Sequence, residues 1–302
     1  MTVILQEITD RVASGAALDG RDFEALWSTD DLVRLGMLAD DARRRRFGAT
    51  VTYVRVADFG VNDLGGADVP SNAGECRVVA PAAELIAHLD AIAAFVARAG
   101  AVPVTAGHLE EFVALGSQST PALRSLAGTG VTGLACAAVD RLPHAEQAVA
   151  AALDSGLSIA RFVVEHPTQT SPWPLLERVR LVQRSTGAVR AFAPLPRHVD
   201  DNLPTTGYAD VKAVALARLA LPDVERIQVD WARYGAKLSQ VALVFGANDI
   251  DTTIDDDGAA TGWRRAAGQE IVRNIQAASL TPVERDGRFV NRTTAPTARM
   301  GE

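Results

Sequence analysis

The chain has 302 residues, 48% of them apolar, and a formal charge of −7 from 30 basic and 37 acidic side chains. That balance fits a globular protein with a sizeable core and excludes a sequence-independent nucleic-acid binder, because phosphate attraction needs clustered Lys and Arg and the one dense cluster is Arg43–Arg46. Two cysteines, Cys76 and Cys136, cannot build a disulfide framework, the start MTVILQEITDRV is acidic where a secretion signal would be basic, and no apolar run nears the roughly 18 residues of a membrane span, so a cytoplasmic location without membrane or nucleic-acid partners is expected.

In chain order, the first 48 residues read as a helical preface: Leu5, Ile8 and Val12 recur at helical spacing, and Ser28-Thr29-Asp30-Asp31 offers caps before LVRLGMLADDARRRR. From Thr50 onward short β-rich runs alternate with amphipathic stretches. The strand candidates are VTYVRVA, AVPVTA, VTGLACAAV, SIARFVVE, AVRAFAPLP and RIQVDWA. The helix candidates cover 81–98, 108–126, 143–154, 173–185, 208–219, 235–245 and 263–279. Strand and helix trading places at this interval implies parallel strands with crossover helices, and the number of units predicts an α/β fold closed as a (β/α) TIM-type barrel over residues 49–289, followed by a polar, flexible tail over 290–302. Chemistry in such a barrel sits on the loops after strands, which places the search at 57–75, 105–108, 138–143, 165–173, 196–208 and 232–236.

Several motifs dissolve on inspection. Gly128-Thr-Gly130-Val-Thr-Gly133 carries the letters of a dinucleotide fingerprint, but a helix enters it and a strand leaves it, so the glycines cap and turn. The acidic run 248–257 fails as an EF-hand loop because Ile254 stands where glycine is needed. The histidines at 88, 108, 144, 166 and 198 contain no pair at helical ligand spacing, so no metal site is expected; Cys136 reads as a small core residue and Cys76 as a loop thiol. Neither a nucleophile elbow nor a P-loop occurs.

One stretch is far more specific. Ile227–Ile254, IQVDWARYGAKLSQVALVFGANDIDTTI, with AASLTPVERDGR at 277–288, closely resembles the C-terminal half of the radical SAM enzymes of the futalosine route to menaquinone. These are aminofutalosine synthase and cyclic dehypoxanthinyl futalosine synthase, with the deazaflavin-forming synthases as more distant relatives. The segments LGMLADDARRRRFGATVTYV, VRLVQRSTGAVRAFAPLPRH and YADVKAVALARLAL resemble other parts of the same family, so the similarity runs with gaps from about Val3 to Phe289. The resemblance implies a radical-SAM-like barrel. In that family the loop after the first strand holds three cysteines spaced C-x3-C-x2-C that ligate a [4Fe-4S] cluster, whereas the matching loop here, ADFGVNDLGGADVPSNAGECRVV, keeps one. With two cysteines in the whole sequence the expectation is that no [4Fe-4S] cluster is held and that this is a divergent member without radical chemistry. The family's glycine-rich, SAM-facing strand end aligns with Ala135-Cys-Ala-Ala-Val-Asp140, where Ala and Cys narrow the approach to the backbone, so SAM is not expected either.

The resemblance and the barrel geometry together single out Asp230, Trp231, Tyr234, Lys237, Asn248, Asp249 and Asp140 as candidate ligand-binding residues, and Asp230, His166 and His198 as candidate acids or bases. Lys237 reads equally as helix surface, and Asn248 and Asp249 equally as local caps. Three functions stay open: a cluster-less pseudoenzyme or accessory protein of menaquinone biosynthesis that pairs with an active relative as a hetero-oligomer, a non-radical enzyme or binder of a nucleoside-like, futalosine-type molecule, and a structural or regulatory barrel without ligand.

Overall fold

The computed structural model describes residues 2–16, 18–166, 170–198, 206–254 and 268–292. Three helices, α1 (Thr2–Ser14), α2 (Gly20–Trp27) and α3 (Leu32–Phe47), form the expected preface. Asp19 caps α2 through the amides of Arg21 and Asp22, and Asp31 caps α3 through that of Arg34, which satisfies amide groups a helix start leaves open. The preface is docked rather than free, with Ile8, Phe23, Leu26 and Leu35 in the same core as the barrel helices.

The barrel begins with β1 (Thr50–Gly60) and β2 (Glu75–Val79), then α4 (Ala82–Ala87), α5 (Leu89–Ala99) and β3 (Val104–Ala106). Helices α6 (Leu109–Val113) and α7 (Ser119–Ala127) lead to β4 (Gly133–Leu134) and β5 (Ala137–Ala138), followed by α8 (Ala145–Asp154), β6 (Ser158–Ile159) and β7 (Phe162–Val164). The circuit continues through α9 (Trp173–Thr186), β8 (Ala191–Pro196), α10 (Gly207–Ala220), β9 (Arg226–Asp230), α11 (Trp231–Leu243) and β10 (Asp249–Thr253). It ends with α12 (Gly268–Ala277) and β11 (Thr281–Glu284).

All ladders between these strands are parallel, in the order β5-β7-β8-β9-β10-β1-β2-β3-β4-β6, with β11 on the lower half of β1. β4 and β5 are two pieces of one strand segment and β6 and β7 of another, so the ends of that path meet and the sheet is a barrel. Hydrogen bonds carry the ladder across the breaks, from Ala135 N to Gly107 O and from Ala137 N to Arg161 O.

Three strands were not legible as such. The sequence pattern puts ECRVV at the end of a loop and Asp249 among local caps, yet the structure makes them β2 and the start of β10, and β11 has no counterpart among the expected strands. Cys76 is therefore a strand residue, not a loop thiol. The segment between β1 and β2, 61–74, consists of turns without a helix, so the first unit of the barrel lacks its crossover helix. Of the Gly128–Gly133 motif, Gly128 ends α7, Gly130 turns with φ 85° and Gly133 opens β4, as its order in the sequence implies. The acidic residues Asp255–Asp257 and the start of the helix expected over 263–279 lie outside the described residues, as do 199–205 of the loop after β8. So does most of the expected tail, whereas its first residues, 290–292, are described, and Arg292 donates to Glu284 Oε1 at 2.8 Å.

Candidate functional site

Side chains alternate across a strand, so each barrel strand presents one set to the helices and the other to the lumen. The helix-facing set is apolar, including Val51, Tyr53, Cys76, Val78, Phe162, Phe192, Ile227, Val229 and Ile250. The lumen set is largely charged. Register places Asp249 beside Thr52 and Gln228, and Asp251 beside Val54 and Asp230.

At the base, Arg285 grips Asp249 with two hydrogen bonds, Nε to Oδ1 at 2.8 Å and Nη2 to Oδ2 at 2.7 Å, while Thr52 Oγ1 and Gln228 Nε2 donate to the same carboxylate at 2.5 and 2.7 Å. One layer up, Asp251 Oδ2 takes Arg161 Nη1 at 2.7 Å and Arg77 Nη2 at 3.0 Å. Arg77 also approaches Glu75 at 3.5 Å, and Thr105 Oγ1 donates to Glu75 Oε1 at 2.6 Å. Asp230, paired with Asp251 in register, lies 3.8 Å from Arg161 Nη1 and 3.3 Å from Arg233 Nε.

Burial and the neighbouring charges set the protonation of these groups. Asp251 is held down to about 2: burial alone would raise it, and the guanidinium groups of Arg161 and Arg77 overcome that. Asp230 moves up, first because of burial and then because of Asp251's charge; Asp58 moves up for the same two reasons, Arg77 opposing. The depressed acid carries a pH signature. Its stabilising contribution is complete above its ordinary value of 3.8 and is lost as pH falls through about 2, an effect of about 2 kcal/mol at 1.36 kcal/mol per unit. The raised acids act with the opposite sign, taking up protons in the folded state first. In denaturant melts from pH 5 to pH 2, the stability gap between the native protein and Asp251→Asn is therefore expected to narrow below about pH 4; a gap that widens or stays constant contradicts the assignment.

Among the described residues, one cavity in this lumen, beside Arg161, Gln228, Asp230 and Tyr234, measures about 10 Å³, room for about one water. A larger groove of about 430 Å³ lies outside the barrel between α8 and α9, and none of the sequence-selected residues lines it.

Those residues scatter. Asp230 faces the lumen and caps α11 through Arg233 N at 3.1 Å. Trp231 is 1% exposed in the helix-facing core, away from the mouth where a stacking role would need it. Tyr234 donates to Pro196 O at 2.6 Å, and burial pushes its hydroxyl pKa upward. Lys237 is exposed on α11. Asn248 braces the chain, its Oδ1 accepting from Arg218 Nη2 and Ile227 N and its Nδ2 donating to Glu225 O, while Asp249 belongs to the base of the lumen. Asp140 accepts the amides of Glu165 and His166 at 2.9 and 3.0 Å and so fixes the end of β7. His166 and His198 are exposed at the rim with stacked rings 5.3 Å apart, and His198 Nε2 meets Glu165 Oε1 at 2.9 Å.

Sequence reasoning missed a second group at the rim. Gly107, φ 67°, turns the chain after β3 so that His108 bridges to Cys136 in the break between β4 and β5. Glu110 follows in the first turn of α6, and donor atoms of His108, Glu110 and Cys136 lie within 4.8 Å of one another. Burial moves the His108 pKa down to about 3 and the Cys136 thiol up to about 11. The linear signal, a His-x-Glu pair just past a strand end, was faint.

Comparison with known proteins converges on the same relatives. Residues 195–297 match the family described as the CofH/MqnC C-terminal region. The chain shares that region with the CofH/MqnC family. It is 35% identical over 126 residues to a 5-amino-6-(D-ribitylamino)uracil–L-tyrosine 4-hydroxyphenyl transferase of Methanopyrus kandleri, covering 36% of this chain and 34% of that protein. It is 32% identical over 129 residues to the aminodeoxyfutalosine synthase of Thermus thermophilus, covering 38% and 34%. The chain thus matches about a third of the length of these curated relatives. In fold it is similar to methylornithine synthase, with TM-score 0.65 at 14% identity over 91% of this chain and 97% of the other. It is likewise similar to the [FeFe]-hydrogenase maturase HydG, with TM-score 0.66 at 12% identity over 94% and 76%. These likenesses bear out the radical-SAM-like barrel and its helical N-terminal part. No helix among the described residues is long and apolar enough to cross a membrane.

Proposed function

We propose that this chain is a cluster-less radical-SAM-like barrel that acts as an accessory protein of menaquinone biosynthesis by the futalosine route, pairing with an active relative rather than generating a radical itself. The placement of the two thiols carries this reading. Cys76 packs among helix-facing residues and Cys136 among lumen residues, with Ala138, Val163 and Ala193, so the pair stands on opposite faces of the barrel wall. A [4Fe-4S] cluster needs three thiolates converging on one point, and these two stand apart. The residues do not fit the cluster. At the family's SAM-facing strand end, Cys136 and Ala138 are packed against neighbours and Arg197 Nη1 lies 3.3 Å from Cys136 Sγ.

The test is anaerobic reconstitution with iron and sulfide, followed by incubation with SAM and reductant, alone and together with an aminodeoxyfutalosine synthase. The expected result is no stoichiometric iron and no 5′-deoxyadenosine from this chain alone, with a stable complex and altered turnover once the relative is present. Cubane formation with SAM cleavage by the isolated chain would sink the reading; so would a mixture in which neither association nor rate differs from the separate proteins.

A further inference from the structure

We propose that His108, Glu110 and Cys136 form a three-ligand site for a single zinc-like divalent cation at the C-terminal rim of the barrel, with one coordination position open towards the mouth. The inference goes beyond the accessory role and does not depend on it.

The donor set comes first. One imidazole, one carboxylate and one thiol, with donor atoms within 4.8 Å of one another, need only a small contraction to reach the spacing that ligands about 2.0–2.3 Å from a tetrahedral ion adopt. Mixed nitrogen, oxygen and sulfur ligation suits zinc and its cobalt surrogate, whereas calcium and magnesium want oxygen alone. Three protein ligands, rather than four, leave a position for water or a substrate oxygen.

The frame is rigid where a site needs it. His108 and Cys136 are held by a parallel bridge, and Leu109 N donates to Cys136 O at 3.0 Å. Glu110 is anchored through Oε2, which accepts Ala138 N at 3.0 Å, while its Oε1 stays 3.7 Å from His108 Nδ1. Glu111 Oε1 lies 3.8 Å from the same nitrogen and adds a second negative charge. Arg197 opposes a cation here, as Arg161 and Arg77 do from further away, but has an alternative partner: its Nη1 is 3.3 Å from Cys136 Sγ and 3.8 Å from Glu165 Oε2, so it can turn to the carboxylate or remain as an N–H donor to the bound sulfur. On binding, the Cys136 proton leaves to solvent as the sulfur–metal bond forms, with no change of oxidation state.

Titrating the metal-stripped full-length chain with cobalt(II) tests this. One equivalent is expected to bind with a sulfur-to-cobalt charge-transfer band in the near ultraviolet. Cys136→Ser is expected to abolish the band, and His108→Gln to weaken binding about a hundredfold or more, since even outer partners of metal ligands carry 10–100-fold. Glu110→Gln keeps the shape and the Ala138 contact and is expected to weaken binding while the band persists. Cys76→Ser, altering the thiol on the far face of the wall, leaves band and affinity unchanged. Absence of the band in the native protein overturns the proposal whatever the variants do. So does a band that survives Cys136→Ser, or binding that is lost in His198→Gln and kept in His108→Gln, which would move the metal to the rim histidine pair.

Discussion

Asp251→Ala is expected to destabilise the fold by about 3–5 kcal/mol, because it strips the counter-charge from two buried arginines at once. Arg77 and Arg161 have side chains only 6% exposed, and the acid between them is 3% exposed, so water cannot take over its role. Glu75 and Asp230 remain, but at 3.5 and 3.8 Å they are longer contacts than the 3.0 and 2.7 Å made by Asp251. The Nε atoms of both arginines already lack partners, and Asp58, 3.8 Å from Arg77 Nη1, is no closer than the other remaining acids. Urea unfolding reads the loss as a lower midpoint at unchanged slope. A change below about 1 kcal/mol, the size of an exposed ion pair, would mean that the lumen is wet and that the arginines are solvated in place. Such an outcome would also undo the argument that the barrel interior is packed rather than open to a ligand.

The same charged lumen explains which parts of the fold were legible in the sequence. Strands whose lumen-facing positions are small or apolar, such as VTYVRVA and AVRAFAPLP, stood out by β propensity and flanking turns, and the crossover helices by their period. β2 and β10 did not, because Glu75-x-Arg77 and Asp249-x-Asp251 put charge at every second residue of a short segment, and charge at that density ordinarily means surface. Their period of two was present all along: Cys76 and Val78 alternate with Glu75 and Arg77, as Ile250 does with Asp249 and Asp251. What the sequence lacked was the partner list, since Asp251 finds Arg77 and Arg161 on strands 174 and 90 residues away in the chain. The site residues divide along the same line. Asp230 was placed by its position at a strand end and does face the lumen. Trp231 was drawn from the same position, yet alternation turns the next side chain outward into the helix-facing core. His108 and Cys136 went unpaired because their meeting depends on the turn at Gly107 and the break between β4 and β5.

This arrangement bears on the accessory reading as well. The lumen is braced by its own ion pairs, Asp251 with Arg77 and Arg161 above all, while the Nε atoms of both arginines and Gln228 Oε1 lack partners. Charges are paired within the wall: Asp249 answers Arg285, and Asp251 sits between Arg77 and Arg161. Among the described residues, side chains spaced to share a metal ion converge at the rim, at His108, Glu110 and Cys136.

The base of the lumen offers the second large effect and separates pairing from packing. Asp249 is fully buried and Arg285 is 2% exposed, with two hydrogen bonds between them and two more reaching Asp249 from Thr52 and Gln228. Removing one partner leaves a buried charge, so Asp249→Leu and Arg285→Leu are each expected to cost about 3–5 kcal/mol. The double variant Asp249→Leu/Arg285→Leu removes both charges and fills their place with apolar volume, so it is expected to be more stable than either single variant, with a coupling of about 1–3 kcal/mol. Recovery is incomplete for a definite reason. Thr52 Oγ1 and Gln228 Nε2 lose their acceptor, and Gln228 Oε1 is already without a partner, so the layer keeps unsatisfied polar atoms. Arg285 also stacks its guanidinium 4.3 Å from the centroid of the Phe289 ring, a contact a leucine reproduces only in its apolar part. Denaturant melts of the four proteins in the cycle measure the coupling directly. If the single costs simply add in the double variant, the two side chains do not act as a pair, and the ladder to β1 with the Arg55–Glu284 ion pair is what holds β11.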